Sequence, residues 1–282
     1  MIPDTISLGN FTITGLRDGF FYLDGGSMFG VVPKVLWEKL CPPDEKNRIK
    51  MGLNSLLIQG KDILILVETG IGPELDIRFR DYYSVEQRPG LLQNLKNLGF
   101  EPEDIDIVIN THLHFDHCGG NTLRSADARI RPAFPRATYV VQKGEWEYAL
   151  NPSDRDRPSY IRDNFLPLEN SAKVHLVDGD EPVAEGIHTV LTPGHTAFHQ
   201  GLKVTSNGET LFFLGDLVPM KAHVGLSYIM SYDLYPLQTV ETKKKILTQA
   251  SEERWVVAFV HDPESYFGRI GIKEGKFVFL PV

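Results

Sequence analysis

The stretch Thr111-His112-Leu113-His114-Phe115-Asp116-His117 decides how this 282-residue chain is read. Four side chains able to ligate a metal fall within six residues, and His and Asp are poor packing residues unless paired or metal-bound. Residues 105–109 just before it, Ile-Asp-Ile-Val-Ile, read as a short buried strand. The four therefore sit in a strand-end loop, where α/β proteins place their sites. In an extended or turning segment His112 and His114 point the same way and share one ion, while Asp116 and His117 reach a second. Two adjacent cations are expected.

Three more residues of the same chemistry follow predicted strands downstream: His195 in Thr192-Pro193-Gly194-His195-Thr196, Asp216 after Leu214-Gly215, and His261 after Val260. The neutral imidazoles and two carboxylates leave a pair of divalent ions with positive charge to spare, enough for a bridging hydroxide and an anionic transition state. That balance favours hydrolysis. Zinc takes imidazole and carboxylate readily and keeps an open position for water, while iron, manganese or cobalt suit the same donors. Asp216, alone at a strand end after a glycine, is the candidate to bridge both ions. Metal binding brings the pKa of water from about 15.7 toward 7, so hydroxide is available at neutral pH.

Working outward, residues 11–14, 56–58 and 63–67 read as strands of N-terminal hairpins. Leu91, Leu92, Leu95 and Leu98 recur at helical spacing within 86–98, with Gly99 as the stop. Residues 151–167 read as an irregular excursion or short helix. Strands are expected at 187–191, 201–205, 210–214 and 255–260, and a helix at 236–250 starting on Pro236. The repeated order of sheet and helix suggests two similar halves packed face to face, an α/β (α+β) chain forming a single domain over 1–282. Apolar residues at 42% and charged residues at 23% exclude disorder and low complexity. A net charge of −8 gives no footprint for nucleic acid, so a small neutral substrate is expected. The longest apolar run, 255–260, is far short of a membrane span, and no signal peptide opens the chain. A cytoplasmic protein with no membrane partner is expected. Two cysteines, Cys41 and Cys118, give no disulfide framework.

The His-x-His-x-Asp-His pattern of 112–117, with His195, Asp216 and His261 downstream, resembles the metallo-β-lactamase superfamily over residues from about 50 to 265. The resemblance implies that family's four-layer αββα sandwich. It also implies that His112, His114 and His195 hold one metal, Asp116, His117 and His261 the other, and that Asp216 bridges them. Within the superfamily, residues 112–121 and the opening segment 23–33 resemble the quorum-quenching N-acyl-homoserine lactonase branch. Two departures stand out: Pro219 occupies the place of that branch's tyrosine three residues after the bridging aspartate, and Glu68-Thr69-Gly70 replaces Asp-Thr-Gly. His223 or Tyr228 is the expected replacement donor.

The expected reaction is the opening of a neutral ester ring, a lactone, by a metal-bridging hydroxide, with Asp116 shuttling the proton. Phe20, Phe21, Met28, Phe29, Val31 and Tyr228 are the candidates to line an apolar groove for the acyl tail. The segment 1–50 would form that groove or a homodimer contact. The alternatives are an organophosphate or aryl-ester hydrolase of the same fold, and a catalytically silent metal-binding relative. Blander roles are assigned to Gly119 and Gly120 (a tight turn), Cys118 (a buried thiol), His175, His188 and His199 (structural), the arginines of 124–136 (a solvated loop) and Lys243–Lys245 (the solvent face of a helix).

Overall fold

The computed structural model describes residues 4–282, and the chain divides into two compact units, one of residues up to Gly19 with 53–178, the other of 20–52 with 179–282. The segment 1–50 is thus shared out, Phe20–Gly52 going to the second unit.

The first unit carries a seven-stranded sheet. Its strands are β1 (Thr5–Leu8), β2 (Phe11–Asp24), β3 (Arg48–Gln59), β4 (Leu64–Val67) and β5 (Ile107–Ile109), followed, after a small hairpin of β6 (Thr122–Arg124) and β7 (Ile130–Pro132), by β8 (Thr138–Gln142) and β9 (Lys173–Val177). The far ends of β2 and β3 run on into residues of the second unit. From β4 through β5 and β8 to β9 all neighbours are parallel, and parallel strands covered on both faces read as unbroken apolar runs, as the fully buried Leu64-Ile65-Leu66-Val67 does. Because these strands share a direction, the segments leaving β4, β5 and β8 emerge at one end of the sheet. Those segments hold Glu68, residues 110–117 and Glu145.

A helix does form in the segment expected at 86–98, but only over Leu91–Asn97. Pro89 disfavours helix in the residue before it, and the buried carboxylate of Asp18 accepts the Leu91 N–H at 2.9 Å, which fixes where the helix begins. The stretch 151–167 is irregular, with two short 3₁₀ turns at Arg157–Ser159 and Arg162–Asn164. The unit's core gathers Leu57, Leu66, Leu95, Val108, Phe134, Trp146 and Phe165.

The second unit carries its own seven-stranded sheet: β10 (Glu181–Ala184), β11 (Ile187–Leu191), β12 (Gln200–Ser206), β13 (Glu209–Phe213), β14 (Val256–Ala258), β15 (Phe267–Lys273) and β16 (Lys276–Leu280). All neighbours are antiparallel except β13 and β14, which are parallel and joined through the helix Pro236–Glu252. β11 runs antiparallel to β12, and β12 antiparallel to β13, so β11, β13 and β14 all point the same way. Their C-terminal ends deliver His195, Asp216 and His261 to one edge of this sheet. The strand expected over 255–260 is shorter, Val256–Ala258, although the next amide, Phe259 N–H, still donates to Tyr266 O, the partner in register with it on the approach to β15. A hairpin of β15 and β16, outside the expected strands, closes the sheet; its turn is made by Glu274 and Gly275, both with positive φ.

The helix Pro236–Glu252 corrects one sequence expectation. Lys244 and Lys245 do lie on its outer side, but Lys243 is fully buried, with Nζ donating to Gly225 O and Tyr228 O at 2.8 Å each. A run of three lysines along a helix cannot all face one way, since successive residues are turned by about 100°. No helix among the described residues is long and apolar enough to cross a membrane.

Candidate metal centre

In the first unit the loop leaving β5 is fixed before its histidines are reached. Glu68, at the end of β4, adopts a left-handed backbone (φ 63°) and accepts the Thr111 N–H at 2.8 Å. Its Oε1 also lies 3.6 Å from His117 Nδ1. A β-carbon in that conformation costs about 1 kcal/mol, which two anchoring contacts offset. The longer side chain is what lets Glu at this position reach both the start and the end of the loop. Thr69, Asn110 and Asn121 continue the bracing: Thr69 Oγ1 and Asn110 Nδ2 both donate to His117 O, and Asn121 Nδ2 donates to Asn110 Oδ1. At the other side, Glu145 accepts the Leu113 N–H at 3.1 Å and the Tyr160 hydroxyl at 2.9 Å, while His114 stands edge-on to the Tyr160 ring.

The outcome is a buried cluster. His112, His114 and His117 are inside, and Asp116 is at its edge with its side chain 12% exposed. Potential ligand atoms of His112 and His114, of His112 and His117, and of Asp116 and His117 lie within 4.8 Å of one another. Gly119 and Gly120 do more than turn the chain. A Cβ on Gly119 would lie 2.2 Å from Ile71 O, and one on Gly120 2.4 Å from Thr69 O, so bare backbone is required for the ligand loop to pack against 69–72.

In the second unit Asp216 divides its carboxylate between two imidazoles: Oδ2 is 3.2 Å from His195 Nε2, and Oδ1 is 3.2 Å from His261 Nε2. The far nitrogen of each ring is already committed. His195 Nδ1 meets Asp233 Oδ1 at 3.0 Å, and His261 Nδ1 meets Gly52 O at 2.8 Å. A carbonyl or carboxylate only accepts, so each Nδ1 carries the proton and each Nε2 presents a lone pair. Two lone pairs facing a carboxylate at 3.2 Å repel unless a cation, a proton or a metal ion, lies with them. His199, expected to be structural, accepts the Asp216 N–H on Nε2 at 3.0 Å while its Nδ1 meets Thr192 Oγ1 at 2.8 Å. It thereby orients the carboxylate's own backbone.

The donors fit divalent ions of the zinc class. They are imidazole nitrogen and carboxylate oxygen, with outer partners fixing ring orientation as metal-ligating histidines require; His112 Nδ1 has such a partner in Thr111 Oγ1 at 2.9 Å. A thiolate is not among them. Cys118 Sγ donates to Leu113 O, and burial, aided by the charges of Glu68 and Asp116, holds its pKa well above the ordinary thiol value.

His223 is fully buried, stacks on Phe29 at 4.5 Å, and donates from Nε2 to Met28 O at 2.8 Å. Burial, reinforced by the charge of Lys243, brings its pKa down to about 3. The ring is therefore neutral, with its one proton given to a carbonyl, and its Nδ1 is an acceptor where the sequence reading looked for a donor. Of the residues assigned to an apolar groove, Phe21, Met28 and Phe29 are buried in the second unit, Phe21 packing 5.4 Å from the His261 ring. Phe20 and Tyr228 are partly exposed, and Val31 is 88% exposed. Asp233, Glu145 and Lys243 carry no local motif, because each is defined by a partner distant in sequence.

A family model described as the metallo-beta-lactamase superfamily matches residues 50–261. Among curated proteins, an N-acyl homoserine lactonase of Bacillus thuringiensis is 26% identical over 221 residues, 74% of this chain and 80% of the relative. The N-acyl homoserine lactonase AttM of Agrobacterium fabrum is 30% identical over 64% of this chain and 67% of its own. Among solved structures, a probable metal-dependent hydrolase from Staphylococcus aureus superposes with a TM-score of 0.89 at 29% identity, covering 98% of this chain and 99% of the other. AidC, a dizinc quorum-quenching lactonase, superposes at 0.82 with 22% identity over 99% and 97%, a likeness of fold. The ligand-type residues 112–117, His195, Asp216 and His261 all fall within the matched span, and the chain belongs to the metallo-beta-lactamase superfamily, within which it resembles the N-acyl homoserine lactonases.

Proposed function

We propose that this protein is a dinuclear metal-dependent hydrolase that opens a small neutral lactone, such as an N-acyl-homoserine lactone. The observation that carries the reading is the carboxylate of Asp216, each oxygen 3.2 Å from the lone-pair nitrogen of a different histidine, the disposition of a group that bridges two cations. His112, His114 and His195 hold one ion in this reading, Asp116, His117 and His261 the other, and Asp216 both. The names of the curated relatives support a lactone as substrate.

When bound, the ions supply Lewis acidity, which polarises the ester carbonyl and makes water acidic enough to serve as the nucleophile at neutral pH. The chain supplies the rest. Water oxygen bonds to the carbonyl carbon, the ring C–O bond breaks, and a carboxylate and an alcohol result. Asp116, at the edge of its cluster, takes the proton from water and returns it to the departing ring oxygen. Asp233 and Gly52 O keep His195 and His261 in the tautomer that ligates through Nε2. Phe20, Val31 and Tyr228 offer apolar surface to the acyl tail.

The test is turnover by zinc-loaded protein of acyl-homoserine lactones, simple lactones, aryl esters and phosphotriesters, followed by acid release or chromophore. The lactones are expected to be the best substrates, with Asp116→Asn lowering kcat by about 10²-fold or more. Faster turnover of phosphotriesters or aryl esters would replace the substrate assignment. Failure to hydrolyse any of them would remove the reading.

A further inference from the structure

Lys243 is a lysine in the wrong place for the role its sequence suggests. It lies inside the second unit, at a position on the helix Pro236–Glu252 one turn before the core residue Leu247. Interior ammonium groups are costly to desolvate, and burial brings this one's pKa down to about 7. Such a group persists only where its donors are used, and here Nζ reaches two carbonyls of one turn, Gly225 O and Tyr228 O. Gly225 O also accepts the Tyr228 N–H at 3.0 Å, so the lysine clamps a turn that is already hydrogen-bonded.

The clamped turn is flanked by two fixed points. On its N-terminal side is His223, bound to Met28 O; on its C-terminal side Asp233 Oδ2 accepts the Met230 N–H while Oδ1 receives His195 Nδ1. Tyr228 itself stands edge-on to Phe29. Between these points, Lys243 holds the turn from within.

We propose that Lys243 is a positioning residue, whose interior ammonium sets the Gly225–Tyr228 turn and with it the presentation of Tyr228 to substrate. The inference rests on the lactonase reading for its kinetic consequence and on the hydrogen bonds alone for its structural one. Lys243→Met removes the donors with little change in volume, and Leu247→Ala, on the same helix, loosens the packing of the core it shares with Val224 while leaving both lysine hydrogen bonds to the turn in place.

Amide hydrogen exchange over 224–231 in zinc-loaded protein is expected to speed up by about tenfold in Lys243→Met relative to the rest of the unit, whereas Leu247→Ala raises exchange evenly. KM for a lactone is expected to rise at least fivefold in Lys243→Met with kcat within about twofold, because no ligand and no proton-transfer group is altered. Should the Met variant fail to fold, Lys243→Leu, which likewise lacks a donor for Gly225 O and Tyr228 O, is read the same way. The proposal is overturned if exchange at 224–231 follows Leu247→Ala, or if the loss falls on kcat with KM unchanged. If the wild type hydrolyses no lactone, the exchange result still decides the structural claim, and the lactonase reading falls alone.

Discussion

Acid should destabilise this protein through His223 in particular. The ring is fully buried and neutral, its pKa lowered from 6.5 to about 3 by burial, and its proton is given to Met28 O. Between those two values the unfolded chain binds a proton that the folded chain refuses, so stability is present above pH 6.5 and is lost as pH falls toward 3. Each unit of pH in that window is worth about 1.4 kcal/mol, so going from pH 7 to pH 5 should remove about 2 kcal/mol through this residue. The assay is urea unfolding of metal-free wild type and His223→Gln at both pH values. The variant keeps a donor for Met28 O but does not titrate, and the ligand histidines are common to both proteins and cancel. The wild type should lose about 2 kcal/mol more than the variant over this interval. Equal losses would mean that His223 takes up its proton in the folded state, and the assigned tautomer and acceptor role would be wrong.

Two further outcomes follow from contacts near the ligands. Asp233→Asn leaves His195 Nδ1 without its carboxylate, and should weaken zinc binding by about 10- to 100-fold in a chelator competition, with far-ultraviolet circular dichroism unchanged; unaltered affinity would remove Asp233 from the account. Gly119→Ala drives a methyl to 2.2 Å from Ile71 O, a backbone atom that cannot rotate away, and should lower stability by about 2–4 kcal/mol in thermal or urea unfolding. A neutral Gly119→Ala would show that the ligand loop does not pack on 69–72 as described.

What the sequence reveals and what it conceals differ in physical kind. Residues 112–117, His195, Asp216 and His261 are legible as candidate ligands because metal chemistry asks for rare residue types at strand ends, and the strands themselves are marked by apolar runs such as 64–67 and 211–214. The supporting shell is not legible. Asp233 is 38 residues from His195, and Asp18 caps a helix 73 residues away, so neither has a local signature. Lys243 is concealed by its neighbours: in a Lys-Lys-Lys run the solvent-facing reading is right for two and wrong for the one that faces Gly225 and Tyr228. Glu68 is visible as a departure from Asp, but its reach to Thr111 and His117 needed the fold.

In the proposed function Asp216 joins two cations held by the two sets of histidines. Zinc content per chain, measured by elemental analysis after reconstitution and removal of excess metal, tests it most directly. The account predicts close to two ions per wild-type chain and no more than one in Asp216→Ala. A wild type saturating at a single ion, or an Asp216→Ala variant that still retains two, would contradict it.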